Sequence, residues 1–405
     1  MEKVKYLILG AGPAGLTFAN MLKRKGEDSF LVLEKEKEAG GLCRSTMVGG
    51  SPFDIGGGHF LDVRRPKVNE FLFQFMPKEE WQLFTRDSRI DIHGDAVGHP
   101  MEANIWQFGL EEQIAYLSSI SKAGCNNGSP MPDKFVDWIV WKLGEKIAED
   151  YMLPYNQKMF SEELDLLGTY WLDKLPNVSF EDTLRSCLTH KPYGTQPGHA
   201  QFYYPKNYGY GEVWLRMAQT VAPKVRYQSD VTEIDCNARK VTIDGGESFT
   251  ADVIITTVPW AEWREIYGMP KNLLESIKQL KKSAIETRYV AENLDTPAQW
   301  IYTPDLSIPY HRILVRHNFC QGSRGYWTET RLERTKMFPA EDKNFRYVNS
   351  YAYPLNTVKK PEIMKNLLDF CVEKQIYGLG RWGEHSHYNS DLVVELAMNL
   401  AEELT

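Results

Sequence analysis

Gly10-Ala11-Gly12-Pro13-Ala14-Gly15 constrains this 405-residue chain more than any other stretch. It follows a short apolar run, KYLILG, and opens an amphipathic run, AGPAGLTFANMLKRKG, that Gly26 ends. A second apolar run, SFLVLEKE, comes next. Strand, glycine turn, helix and strand in that order predict a βαβ unit. Gly10 suits the tight turn, Gly12 lets the backbone approach a pyrophosphate, and Gly15 lets helix and strand pack closely. Pro13 and Ala14 begin the helix, whose free N–H groups and dipole favour an anion at that end. Glu34, followed by Lys35, ends the second strand about 20 residues on, where a carboxylate accepts from ribose hydroxyls. A glycine turn without a ligand is the alternative, and the full context argues against it.

Immediately downstream, EKEKEAGGLCRS places Gly40, Gly41, Leu42 and Arg44 after the glutamate. The glycine pair again allows close backbone approach to phosphate, and the arginine supplies charge. This resembles the second signature of flavoproteins of the amine oxidase and glutathione reductase-like type, and it implies FAD. In that superfamily the following segment lies along the flavin. Here it reads SPFDIGGGHF, with Gly56, Gly57, Gly58 and His59. The glycines are expected to form a bare-backbone wall where any Cβ would collide with the isoalloxazine. His59 is expected beside the ring, as a neutral imidazole.

The net charge is −7 and no basic tract stands out, which excludes a nucleic-acid partner. Six cysteines include no CxxC pair and no metal-ligand spacing, so neither a disulfide framework nor a metal is expected. No signal peptide and no membrane span is expected, and a cytoplasmic location follows. Apolar periodicity divides the chain into a Rossmann-type domain (1–66, 200–265 and 375–405), which the resemblance implies is FAD-binding, a helical insertion (67–199) and an antiparallel sheet (266–374). Residues 192–212, rich in Gly, Pro and Tyr, read as a loop. The expected fold class is α/β.

Later segments narrow the resemblance. PFDIGGGHF, HPMEANI, PYNQKMF, YPKNYGYGEVW and GRWGEHSHYNSD occur in an order similar to that of UDP-galactopyranose mutases. The resemblance implies flavin N5 acting on a sugar, with protein groups holding a diphosphate, and arginine suits that anion. It gives catalytic roles to His59, Asn156, Tyr302, Arg312 and His387. It gives cofactor roles to Gly57, Gly58, Val231, Gly380, Arg381 and Asn389. Several positions depart from the family. Phe160 stands for Trp, Leu175 for Arg, His387 for Tyr, Phe319 for Tyr, and Glu102 for a Gln that some members carry. His385, His387, Lys158 and Arg316 are expected to replace part of the lost charge. The expected partner is a small molecule, with a sugar nucleotide as one candidate and a homodimer as one option for assembly. The alternative reading is an amine oxidase-type oxidoreductase, passing a hydride from a small substrate to flavin.

Overall fold

The structure is a computed structural model that describes residues 2–172, 175–194, 200–339 and 344–405. Strand Glu2–Leu9 lies at the centre of the first sheet, with Phe30–Leu33 and Ser248–Thr256 parallel on its two sides. The residues Tyr6–Leu9 are almost wholly buried, as a strand covered on both faces requires. The sheet continues outward through Val225–Arg226 on one side. On the other it runs through Lys240–Ile243, Val231–Asp235 and Glu265–Tyr267, and Ile376–Gly378 pairs with Ser248–Thr256. Helix Pro13–Arg24 starts with proline in its first turn and buries Ala14 through Leu22. It packs on the last helix, Ser390–Leu404.

A second, seven-stranded sheet runs Arg346–Pro354, Lys282–Val290, Tyr326–Arg331, Arg312–Leu314, Trp300–Tyr302, Ser88–Ile92, Asp95–Gly98. It is antiparallel except where Trp300–Tyr302 meets Ser88–Ile92. The α/β class therefore holds, with a Rossmann-type sheet beside an antiparallel one. Helices Leu110–Ser121, Phe135–Ile147, Leu153–Met159 and Phe180–Thr189 supply the helical part. Ser179 caps the last of these by accepting from the Asp182 N–H at 3.0 Å.

Two stretches differ from their sequence reading. The helical stretch is interrupted by strands Trp81–Thr85, Ser88–Ile92 and Asp95–Gly98. The stretch expected to be a loop contains strand Gln201–Pro205, which pairs with Trp81–Thr85 and Leu61–Asp62. All of these strands are five residues or shorter. In Ser88–Ile92 the buried residues Ser88, Ile90 and Ile92 alternate, but over too few positions to outweigh the helical pattern around them. The six cysteines are free, and all but Cys125 are buried. Among the described residues no helix is long and apolar enough to cross a membrane.

Candidate functional site

The carboxyl ends of the parallel strands open into a cleft of about 560 Å³. Gly10, Gly12, Pro13, Ala14, Glu34 and Lys35 line it from the first βαβ unit. Gly41, Leu42, Arg44, His59, Val231 and Arg381 add the remaining predicted lining. Gly12 takes the N-cap of helix Pro13–Arg24, whose first turn holds no acidic residue and no side-chain cap. Its first N–H groups therefore face the cleft without a partner in the helix. Gly10 has φ +103°, and a Cβ there would stand 2.2 Å from Thr257 Oγ1. Gly41 has φ +54°, and its Cβ would stand 3.2 Å from Gly12 Cα. The helix mouth is bare backbone with a positive dipole end, and an anion such as pyrophosphate fits it.

Glu34 also braces this loop. Its Oε2 accepts from the Ala11 N–H at 2.6 Å and its Oε1 from the Glu36 N–H at 2.9 Å. Burial raises its pKa. Arg44 donates to the Gly41 carbonyl and the Tyr347 hydroxyl, both at 3.0 Å, and pairs with Glu36 at 3.2 Å. Gly15 and Gly380 lie behind the lining. A Cβ on Gly15 would stand 2.0 Å from the Gly10 carbonyl oxygen, and one on Gly380 (φ +74°) would stand 2.9 Å from Ala14 Cβ. The closing turn thus presses on the start of the first helix.

The glycine run 56–58 is explained by protein neighbours. A Cβ on Gly56 would stand 1.8 Å from the Leu42 carbonyl oxygen. Gly57 has φ +88°, and its Cβ would stand 2.4 Å from Glu329 Oε1. On Gly58 it would stand 2.1 Å from Leu314 Cδ2. Each of these glycines is needed by the packing of the chain on itself. His59 Nδ1 lies 3.1 Å from the Gly57 carbonyl, which can only accept, so Nδ1 carries the proton and Nε2 is an acceptor. Burial, aided by the Arg381 charge, lowers its pKa to about 4.

His59, Arg381 and Ser390 also line a second cavity of about 220 Å³. Its walls hold Gly58, Arg86, Arg312, Tyr353, His387 and Asn389, and its aromatic side is Phe60, Phe202 and Trp300. Arg312 donates to the buried Glu329 carboxylate through Nε at 3.1 Å and through Nη2, and also to the Tyr353 hydroxyl at 3.3 Å. The other oxygen of Glu329 accepts from the Gly58 N–H at 3.1 Å. Burial alone would raise the Glu329 pKa, but Arg312 and His311 outweigh it and hold it at about 2. The His387 ring centroid lies 4.9 Å from that of Tyr353. Arg381 donates to the carbonyls of Tyr388, at 3.1 and 2.8 Å, and Ala352, at 2.9 Å, and burial lowers its pKa.

Two residues with expected catalytic roles line neither cavity. Asn156 is buried and donates its amide to the Met152 carbonyl at 2.7 Å. Tyr302 stands behind Arg86, accepting from its Nη2 at 2.5 Å. Of the expected replacement cations, His387 alone reaches the cavity. Lys158 is fully buried and donates to the carbonyls of Thr303 at 2.6 Å and Asp305 at 2.7 Å. Arg316 is fully buried against the carbonyls of Val48, Ser51, Pro52 and Arg324. His385 is buried with Nε2 3.0 Å from the Lys281 carbonyl. Leu175 packs against the main apolar core. Phe319 is buried among aromatic rings, 5.5 Å from Trp327. Arg86, Trp300, Tyr353 and Glu329 belong to the site without having been singled out from the sequence. Register brings Glu329 opposite Arg312, and spacing along the chain gives no sign of it.

The first sheet and its cleft have the Rossmann-type arrangement. Residues 8–75 match the family model of the NAD(P)-binding Rossmann-like domain. Over its whole length the chain has the fold of UDP-galactopyranose mutase. The crystal structure of the reduced mutase superposes with a TM-score of 0.89, at 20% identity, over 100% of this chain and 94% of that one. A putrescine oxidase double mutant superposes with a TM-score of 0.66, at 14% identity, over 100% of this chain and 99% of that one. The FAD-binding monooxygenase tazF of Aspergillus terreus is 26% identical over 196 residues, which are 47% of this chain and 29% of that protein. The chain thus spans less than a third of that relative.

Proposed function

We propose that this chain is an FAD-dependent enzyme of the UDP-galactopyranose mutase type, acting on an anionic small molecule, with a sugar nucleotide as the substrate class. The observation that carries the proposal is the adjacency of the two cavities. The cleft that begins at the helix mouth and the cavity walled by Arg86, Arg312 and Arg381 share His59, Arg381 and Ser390. The first βαβ unit would hold the pyrophosphate, Glu34 the ribose and Val231 the adenine, with Gly41, Leu42 and Arg44 closing over the phosphates. The flavin, when bound, supplies the reacting ring nitrogen or a hydride acceptor. His59 lines both cavities, is neutral at neutral pH, and has its unprotonated Nε2 free to accept a hydrogen bond from a ligand. Arg312, fixed by Glu329, and Arg381, fixed by backbone carbonyls, hold the substrate's negative charge. His387 stands beside Tyr353 on the same wall. The Phe60, Phe202 and Trp300 rings exclude water from the far side.

The second reading is hydride transfer from a small substrate to flavin, and Leu175 favours it. An aliphatic side chain packed on the core removes a charge that diphosphate binding would use. One experiment separates the two. Purified protein is loaded with FAD, its spectrum is recorded, and UDP-galactose is supplied to oxidised and to dithionite-reduced samples. The first reading expects an isomeric product from reduced enzyme alone. Bleaching of the flavin by substrate under anaerobic conditions, with no isomer formed, establishes the second. Failure to take up FAD overturns both.

A further inference from the structure

Arg86 is held differently from the other two arginines of the smaller cavity. Its Nε donates to Ser88 Oγ at 2.6 Å, its Nη2 donates to Tyr302 Oη at 2.5 Å, and its guanidinium carbon lies 4.4 Å from the Trp300 ring centroid. Both hydrogen-bond partners are neutral oxygens, and among the described residues no carboxylate pairs with it. A guanidinium carries five N–H donors in a fixed fork, so three remain for a ligand. The other cations gather elsewhere: Arg312 donates to Tyr353, Arg381 lies 6.0 Å from the Tyr353 ring, and His387 stands against the same ring. Arg86 instead lies against the aromatic wall of Trp300, which packs on Phe60 at 4.4 Å and Phe202 at 5.2 Å. The cavity therefore has two cationic stations. One, around Tyr353, is partly neutralised by Glu329. The other is a single arginine set over the face of a tryptophan.

We infer that Arg86 is a specificity-determining residue that binds an acidic oxygen group, a carboxylate in a sugar acid, on the part of the substrate lying against the Trp300 wall. The inference rests on the reading of this cavity as the substrate site. The contact with Trp300 and the bonds to Ser88 and Tyr302 hold the fork in place, so an oxyacid can be bound through two parallel N–H groups and a hydroxymethyl group cannot. At about 220 Å³ the cavity lies below the roughly 300–1,000 Å³ of drug-sized pockets, which suits a unit of monosaccharide size.

The test is isothermal calorimetry on the FAD-loaded full chain, with galacturonate, galactose and inorganic pyrophosphate as probes. Wild type is expected to bind galacturonate roughly tenfold or more tightly than galactose, the effect of a charge-assisted bond. Arg86→Gln erases that ratio and leaves pyrophosphate affinity within about twofold, because the Tyr353 station is intact. Arg86→Lys keeps part of the ratio. Unchanged FAD stoichiometry and circular dichroism establish that the variants are folded. Equal binding of the two sugars by wild type overturns the inference. So does a loss of pyrophosphate affinity in Arg86→Gln as large as the loss of galacturonate affinity, which would place Arg86 in the diphosphate station. If wild type binds no pyrophosphate, the reading of the cavity itself fails and the inference falls with it.

Discussion

Glu329 supports two parts of the site at once, since one oxygen receives the Gly58 N–H and the other receives Arg312. Replacing it by Gln leaves the buried Arg312 charge without its counter-ion, and such a loss costs about 3–5 kcal/mol. Its folded pKa of about 2 lies below the ordinary 4.5, so its contribution is complete above pH 4.5 and is lost as pH falls towards 2. Urea unfolding of wild type and Glu329→Gln should therefore show the full gap near pH 6 and a closing gap below pH 4.5. Gly57→Ala sets a Cβ against Glu329 Oε1 in a left-handed backbone, and should cost about 1–3 kcal/mol in the same assay. His59 is expected to titrate near 4 instead of 6.5, because burial and Arg381 disfavour its charged form. An NMR titration, assigned with His59→Gln, checks this. The glycines and His59 could be picked out from sequence because their types are unusual in sequence order. Arg86 and Glu329 could not, because an arginine near a strand and a glutamate within one gain their meaning only from what lies opposite.

At the scale of elements, the first βαβ unit was legible because a glycine turn, an apolar run and a strand-ending acid are all local signals. The long helices were legible through their period. Strands Ser88–Ile92 and Gln201–Pro205 were not, because few residues carry their alternation and their pairing partners lie far along the chain. The helix mouth also makes a prediction. Gly15→Ala would put a Cβ 2.0 Å from the Gly10 carbonyl oxygen, so helix Pro13–Arg24 must move off the strand that precedes it. FAD affinity measured by calorimetry should fall at least roughly tenfold, about 1.4 kcal/mol, with the far-UV circular dichroism retained. Equal affinity in the variant would show that the mouth does not hold the phosphates.

For the whole molecule, a ligand that binds only the folded chain stabilises it by about 2.7 kcal/mol at a hundred times its Kd. Thermal unfolding should therefore rise with FAD concentration in wild type and rise by less, about 1.4 kcal/mol less at the same saturating concentration, in Gly15→Ala. The combination of a Rossmann-type sheet, an antiparallel sheet and helices could be read from the sequence, while the contribution of residues 81–98 to the seven-stranded and the three-stranded sheet could not, since it depends on long-range pairing. One consequence lies in the order of synthesis. Strands Glu2–Leu9 and Phe30–Leu33 and the glycine loop emerge early, but strand Ile376–Gly378, Arg381 and helix Ser390–Leu404 complete their cleft from the far end of the sequence. At roughly 5–20 residues per second, the nascent loop waits on the order of 20–70 s for those last walls. The complete cleft is thus a late product of synthesis relative to its first walls, and a ligand that needs all of them has to wait for the later segments.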